Sequence, residues 1–288
     1  TGLISLGSAV RIRPSLPNFM NKTSIYCLTL EPGHEQLIKR LSYIPVGLGE
    51  KTFSKEFLTD KNGLSISQKN SNYGEYTFHY WLWKNYLNKI ESEWIGFCQY
   101  RKFFTKKNIT TKNISFENLQ NISISEIENN NFDCILGNKF SVENFKFSKI
   151  IKNHLINFLK NPSLIFNKKK RNLKFHFDLF HGEGNLDKAI NLLNEKDKNA
   201  FREFMNNETS FNPHNMFICK PKILKSYYDV IFPWLERCEE VFGINKLKGY
   251  GLQRIYGFLA ERFLSYWFNR NFKVKEYPII VKDLSDYK

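Results

Sequence analysis

Cysteine pairs and long apolar runs are both missing from this chain. Its five cysteines are widely spaced, with no CxxC pair and no Cys/His cluster at zinc spacing, so we expect no structural metal site and a reducing compartment. No uninterrupted apolar run approaches the roughly 20 residues that a membrane-spanning helix needs. We therefore expect a soluble or at most peripheral protein.

The glycine motifs that bind phosphates are absent as well. There is no GxxxxGK[ST] loop, no GxGxxG after a strand, no GxSxG elbow and no HExxH motif. An Asp-x-Asp pair, which many nucleotide-sugar transferases use to hold a divalent metal, is also lacking. If the chain binds a nucleoside diphosphate, we expect cationic side chains to neutralise its charge without a cofactor. A divalent cation is the alternative.

The composition that is present describes a folded, basic protein. Apolar residues make up 42% of the 288 residues and aromatic residues 16%, which argues against disorder and allows one large domain or two small ones. The formal net charge is +15. Such a charge predicts attraction to anionic partners, namely nucleotide-linked substrates, anionic lipid headgroups or nucleic acid.

The most informative segment is an aromatic helix followed by a short apolar strand. Bulky residues recur at helical spacing over 75–90, and a run of strand length covers 94–100. In open α/β sheets, ligands bind at the carboxyl ends of strands. Arg101 offers a planar fork of donors suited to a diphosphate, and Lys102 adds a point charge. The alternative is that both residues simply end an edge strand in solvent.

The remaining pattern alternates between strands and helices and predicts an α/β protein. Helical spacing dominates the second half, over 143–170, 186–204, 223–242 and 252–267, with a basic turn at 168–171 and a turn followed by a strand within 211–220. In the first half we predict strands over 24–30, 43–48 and 132–137 and a short helix over 35–41. The first nineteen residues differ in composition from the rest, so we expect Met20 to be the native start and 1–19 to be a non-native or disordered extension.

Six blocks in a fixed order carry a family resemblance. They are IPVG at 44–47, ISQKN at 66–70, GEYTFHYWLWKN at 74–85, IGFCQYRKFF at 95–104, HNMFICK at 214–220 and RIYGFLAER at 254–262. The chain resembles a bacterial capsular polysaccharide synthesis family, long labelled a domain of unknown function, found in capsule and O-antigen clusters. That family is regarded as glycosyltransferase-like, and some members act as galactofuranosyltransferases.

The resemblance implies a GT-A-like fold, a Rossmann-type α/β sandwich with a mixed central sheet and a helix-rich C-terminal half. It further implies a single domain over 20–288. In that domain, 20–140 would bind the nucleotide sugar and 141–288 would bind the acceptor.

For the donor, the matching blocks give a set of polar and cationic residues. Loop hydrogen bonding would explain Asp60, Ser67 and Asn70 equally well, and the helix dipole would explain a carboxylate at position 75. Relatives commonly carry histidine where this chain has glutamine at position 99, which puts any imidazole role there in doubt. The donor set is Asp60, Ser67, Asn70, Glu75, Gln99, Tyr100, Arg101 and Lys102.

For the acceptor and the chemistry, the sequence leaves several choices open. His214 and Asn215 would contact donor or acceptor hydroxyls, unless they are ordinary loop residues. Glu261 is either the base that deprotonates an acceptor hydroxyl or one half of an ion pair with Arg254 or Arg262. The ion pair is slightly favoured.

A second acid/base pair is offered by Asp178 and His181 in the segment FHFDLFHGEG. The sequence does not rank this pair against Glu261.

These observations predict a glycosyltransferase of the hexosyltransferase type. It would use a nucleotide sugar, a UDP-sugar with UDP-galactofuranose as one candidate, and a lipid-linked or oligosaccharide acceptor of capsule, O-antigen or lipooligosaccharide. We expect it in the cytoplasm, peripherally attached to the anionic inner membrane through basic side chains. The alternatives are a non-catalytic assembly subunit of a polysaccharide complex and, less favoured because no binding motif appears, a nucleic-acid-binding protein.

Overall fold

A mixed β-sheet forms the centre of the molecule. The computed structural model describes residues 23–105, 114–119, 131–143, 171–245 and 247–287, and within these ranges nine strands join one sheet and two more form a small second sheet. The eleven strands in chain order are β1 (Thr23–Thr29), β2 (Ile44–Gly47), β3 (Leu58–Thr59), β4 (Trp94–Gln99), β5 (Lys102–Phe104), β6 (Cys134–Gly137), β7 (Phe140–Ser141), β8 (Ser210–Phe211), β9 (Phe217–Cys219), β10 (Val274–Tyr277) and β11 (Ile279–Val281).

Strand direction brings several strand ends to one edge of the sheet. The main order is β10-β6-β9-β4-β1-β2-β3, in which β9 is antiparallel to its neighbours β4 and β6 while the other pairs are parallel. β5 folds back on β4 and pairs with β11. The carboxyl ends of β1, β2 and β4 therefore lie together, as the α/β prediction requires.

The helices within the described ranges confirm the predicted helix-rich second half. Here α4 is a helix that the sequence did not predict. In chain order they are α1 (Glu35–Arg40), α2 (Asn70–Tyr73), α3 (Tyr76–Trp81), α4 (Leu173–His181), α5 (Asn185–Asn191), α6 (Glu195–Asn207), α7 (Pro221–Phe242), α8 (Tyr250–Gln253) and α9 (Ile255–Asn271).

Alternating side chains place an apolar layer on each face of the sheet. On β1, Tyr26 and Leu28 join the larger buried cluster, whereas Ile25 and Cys27 join the smaller one. This two-residue period is what a strand buried on both faces produces. The result is an α/β sandwich, which confirms the predicted fold class.

Three of the predicted helices need correction. The helix over 75–90 is α-helical only as far as Trp81, and residues 82–86 continue as a π-helix followed by a 3-10 turn at 87–89. The stretches predicted over 186–204 and 252–267 are each two helices, broken before Glu195 and at Arg254. In both stretches the helical spacing of apolar residues continues across the break, so the sequence pattern does not reveal where the backbone leaves the helix.

Two further predictions fall entirely or almost entirely on residues that the structure does not describe. The extension over 1–19 lies outside the described residues, as does nearly all of the helix predicted over 143–170. Where the structure does describe the chain, all five cysteines are buried free thiols, and none of its described helices has the length and hydropathy to cross a bilayer.

Candidate active site

A cavity of about 520 Å³ opens at the carboxyl end of β4, between that strand and helices α4, α8 and α9. Most of the residues singled out from the sequence line it. They are Glu75, Gln99, Arg101, Lys102, His181, His214, Asn215, Arg254, Glu261 and Arg262.

A second, smaller cavity of about 90 Å³ lies beside it, where β1, β2 and β4 end. Leu30 and Leu48, which directly follow β1 and β2, line it together with Asn70 and Tyr100. The two cavities share four lining residues, so they are neighbouring parts of one cleft. The shared residues are Glu75, Gln99, Arg101 and Arg254.

Glu75, at the start of α3, connects the three chain segments that meet at this boundary. Its Oε1 accepts hydrogen bonds from Gln99 Nε2 at 3.3 Å and from Asn215 Nδ2 at 2.9 Å. Its Oε2 lies 3.4 Å from Arg254 Nη2. A carboxylate that satisfies donors from β4, the 214–215 turn and α8–α9 fixes their relative positions, which is why we describe Glu75 as a positioning residue.

The His214–Asn215 turn adopts a backbone conformation that side chains rarely occupy. Its φ angles are +80° and +52°, a left-handed geometry that costs free energy and is found at functional sites. The His214 carbonyl accepts from Gln99 Nε2 at 3.1 Å, and Asn215 Nδ2 reaches the Gly257 carbonyl at 3.3 Å. Burial, and then the nearby Lys102, lower the pKa of His214 to about 4, so its ring is neutral at pH 7.

Glu261 forms the ion pair with Arg262 that the sequence slightly favoured. Its Oε2 lies 2.5 Å from Arg262 Nη1, and its Oε1 accepts the His214 backbone N–H at 2.6 Å. Arg262 is only 2% exposed, and its guanidinium lies 3.7 Å from the centre of the Phe211 ring. Because removing the carboxylate would leave a buried cation unpaired, Glu261 has a structural task whatever else it does.

His181, the last residue of α4, presents a different kind of group to the cavity. Its Nδ1 lies 3.0 Å from the Gly251 carbonyl, so this nitrogen carries the proton. Burial, followed by the charge of Arg262, lowers the pKa of His181 to about 4. A neutral ring with a protonated Nδ1 leaves Nε2 as a proton acceptor, and Nε2 has no hydrogen-bond partner among the described residues.

The charge of the cleft is cationic on balance. Arg101, Lys102, Arg254 and Arg262 face only the two carboxylates Glu75 and Glu261. Arg101 is exposed and makes no ion pair within the described part of the chain. Burial lowers the pKa of Lys102, opposed by the nearby carboxylates. A site with this imbalance attracts a polyanionic ligand.

Three residues predicted for the site lie elsewhere. Asp60 and Ser67 line neither cavity; the carboxyl of Asp60 is fully buried, and its burial raises the pKa. Asp178 pairs with Lys174 at 2.9 Å instead of with His181. Asn70 does line the smaller cavity, but its amide donates to the Gly74 carbonyl and to Thr77, which holds the loop together.

The sequence missed an aromatic lining of the larger cavity. These rings come from β7, α4, β8, α8 and α9, elements that the sequence predicted poorly or not at all. Helical spacing around 173–181 in FHFDLF was the available signal. The missed lining residues are Phe140, His176, Phe180, Phe211, Tyr250 and Phe258.

No group of three or more His, Cys, Asp or Glu side chains within the described ranges is arranged to hold a metal ion.

Comparison with known proteins gives two matches. A family model described as a domain of unknown function, DUF4422, matches residues 30–272. The fold also matches a solved chain described as WbbM, a bifunctional glycosyltransferase in its apo form, with a TM-score of 0.67 and 20% sequence identity. That likeness covers 91% of this chain but 45% of the other, so this chain spans less than half of WbbM. At this identity it shows a shared fold. No curated protein matches the chain.

Proposed function

The chain belongs to the DUF4422 family, and from that premise we propose that it is a glycosyltransferase using a nucleotide-sugar donor. The observation that carries the proposal is the position of Arg101. This free cation lies where the small cavity at the strand ends meets the large one, in a fold shared with a solved glycosyltransferase.

The two cavities suit two parts of a donor. The smaller one, at the carboxyl ends of parallel strands, is where α/β sheets bind nucleotides. The larger, with its volume of about 520 Å³, has the size of a small-molecule site and would hold the sugar and the acceptor. The diphosphate would then lie at the boundary, next to Arg101 and Arg254, where their planar guanidinium groups can each donate two hydrogen bonds.

The proposed reaction is a substitution at the anomeric carbon of the donor sugar. The bond from this carbon to the diphosphate oxygen breaks and its electron pair leaves with the nucleoside diphosphate, while a bond to an acceptor hydroxyl oxygen forms. Arg101 and Lys102 would stabilise the charge on the departing diphosphate. In this proposal the chain's own cations stabilise the diphosphate without a metal.

A base must remove the proton from the acceptor hydroxyl. We assign this role to His181, whose Nε2 is available, in preference to Glu261, both of whose oxygens already accept hydrogen bonds. Asp178 is outside the cavity and paired with Lys174.

We further propose a bacterial surface polysaccharide, or its lipid-linked precursor, as the acceptor. A UDP-sugar is the expected donor, and the cytoplasmic face of the inner membrane is the expected location. The net charge of +15 supports contact with anionic lipid, at roughly 1 kcal/mol for each well-placed cation.

The first test is calorimetric binding of nucleoside diphosphates and UDP-sugars, with and without manganese. We expect selective binding of UDP species, and Arg101→Ala should weaken UDP binding about 10- to 100-fold because hydrogen bonds between charged groups are lost. Arg101→Lys should restore it only in part.

The matched control is Arg270→Ala, at an exposed arginine outside both cavities, which should bind UDP as the wild type does. If no nucleoside diphosphate binds the wild type, the protein is better explained as an assembly subunit with a transferase fold.

A further inference from the structure

The apolar lining of the larger cavity consists of rings. Among the residues that the structure describes, no leucine, isoleucine or valine lines it. Its apolar members are Phe140, Phe180, Phe211, Pro213, Tyr250 and Phe258.

Three of these rings are exposed although they are large and apolar. Phe140 is 45% exposed, Phe180 36% and Tyr250 70%. Exposed aromatic side chains gathered around one opening are unusual on a monomer and mark a binding surface. Here all three line the larger cavity.

A further ring, Phe258, connects these exposed side chains to the imidazole of His181. Phe258 stacks on His181 with ring centres 4.1 Å apart and an angle of 27°, and Tyr250 meets Phe258 edge-on at 5.9 Å. A ligand lying on Phe258 and Tyr250 is therefore held beside the imidazole of His181. Glu261 and Arg262 line the same cavity.

We propose that Tyr250, Phe258 and Phe180 form an acceptor subsite that binds the sugar ring of a saccharide by stacking. A ring with an apolar C–H face and a hydroxyl edge matches aromatic faces interleaved with hydrogen-bonding side chains. An alkyl chain would be matched by aliphatic side chains, and the described residues that line the cavity include no leucine, isoleucine or valine. The inference rests on the proposed function, because it takes the larger cavity as the acceptor site, and it adds the chemical class that the acceptor presents to the enzyme.

The test is saturation-transfer NMR on the full chain in the presence of UDP. The probes are methyl β-D-galactopyranoside, methyl α-D-glucopyranoside and n-octanol. Saturation transfer to the ring C–H protons of at least one glycoside is expected with the wild type. Tyr250→Ala should weaken the affinity about two- to tenfold, the range that corresponds to one aromatic contact, and Tyr250→Phe should keep it.

Leu64→Ala is the matched control, since Leu64 is 62% exposed and lies outside both cavities; it should behave as the wild type. UDP binding is measured in the same samples. Transfer to n-octanol alone, or equal glycoside signals in wild type and Tyr250→Ala, would overturn the saccharide subsite while UDP binding remains. Loss of UDP binding in the wild type would instead contradict the proposed function.

Discussion

At the scale of single residues, His181 is the group whose role can be tested most directly. If it accepts the acceptor proton, His181→Gln should lower kcat about 10²- to 10⁴-fold and leave UDP affinity within about twofold. The rate is measured as UDP release from the UDP-sugar that the wild type binds. Because the pKa of His181 is about 4, the neutral, active ring is already dominant at pH 6, so the wild-type rate should fall only as the pH approaches 4.

Glu261→Gln gives the comparison. It removes the partner of the buried Arg262, so the main expected effect is a loss of stability of about 3–5 kcal/mol. A folded Glu261→Gln protein without activity, beside an active His181→Gln protein, would assign the base to Glu261.

The position of the residues at the end of β4 beside a cavity was predictable, because α/β sheets bind ligands at the carboxyl ends of their strands. Gln99, Arg101 and Lys102 follow directly from that rule. The role of Glu75 as the link between β4, the 214–215 turn and α9 was not predictable, since its partners Asn215 and Arg254 lie far along the chain.

At the scale of secondary structure elements, the contact between α4 and α8 determines the shape of the acceptor side. A Cβ atom at Gly251 would lie 2.1 Å from the Phe180 carbonyl oxygen, which is backbone and cannot move alone. We expect Gly251→Ala to push the two helices apart and cost about 1–3 kcal/mol of unfolding free energy, as overpacking does. Urea unfolding measures this change.

Gly257→Ala is the matched helical control. Its Cβ would lie 3.3 Å from the Tyr73 carbonyl, a tight but tolerable contact that the better helix propensity of alanine offsets. We expect its stability within about 1 kcal/mol of wild type. Equal stability of the two variants would show that α4 and α8 adjust freely.

The same elements show why periodicity alone gave incomplete helices. Apolar spacing ran smoothly through 186–204 and 252–267, yet the chain turns at 192–194 and at Arg254. Both breaks let short helices pack at new angles. Such angles depend on tertiary neighbours, which a linear pattern does not contain.

At the scale of the whole molecule, topology explains what the sequence could predict. Strands β1, β2 and β4 are short, mostly apolar segments that the sequence pattern identifies, and their parallel order fixes the cleft. β10 and β11 pair with distant β6 and β5, and the short VKEY segment of β10 carries two charges. Its strand character comes from the partner and not from its own composition.

Acid sensitivity is the last consequence of the fold as a whole. Burial lowers the pKa of His79 to about 3 and of His181 to about 4. Below the ordinary histidine pKa near 6.5, these histidines bind protons in the unfolded chain but not in the folded chain. The free energy of unfolding should therefore fall as the pH drops from 6.5 toward 4. At pH 5 each such histidine lowers the unfolding free energy by about 2 kcal/mol. Buried Asp60 and half-buried Asp178 have raised pKa values and act in the opposite direction.

His79→Gln isolates one part of this effect, because it can keep the hydrogen bond that His79 Nδ1 makes with the Tyr228 hydroxyl at 2.6 Å. In the wild type, Nε2 of His79 has no hydrogen-bond partner in the described part of the chain, so no hydrogen bond at Nε2 stabilises the charged imidazole. We expect the variant to be less stable at pH 7 but to lose about 2 kcal/mol less than wild type between pH 7 and pH 5, measured by urea unfolding at both values. Identical losses would mean that His79 is protonated in the folded protein, and the acid sensitivity would then have to come from the histidines of the cleft.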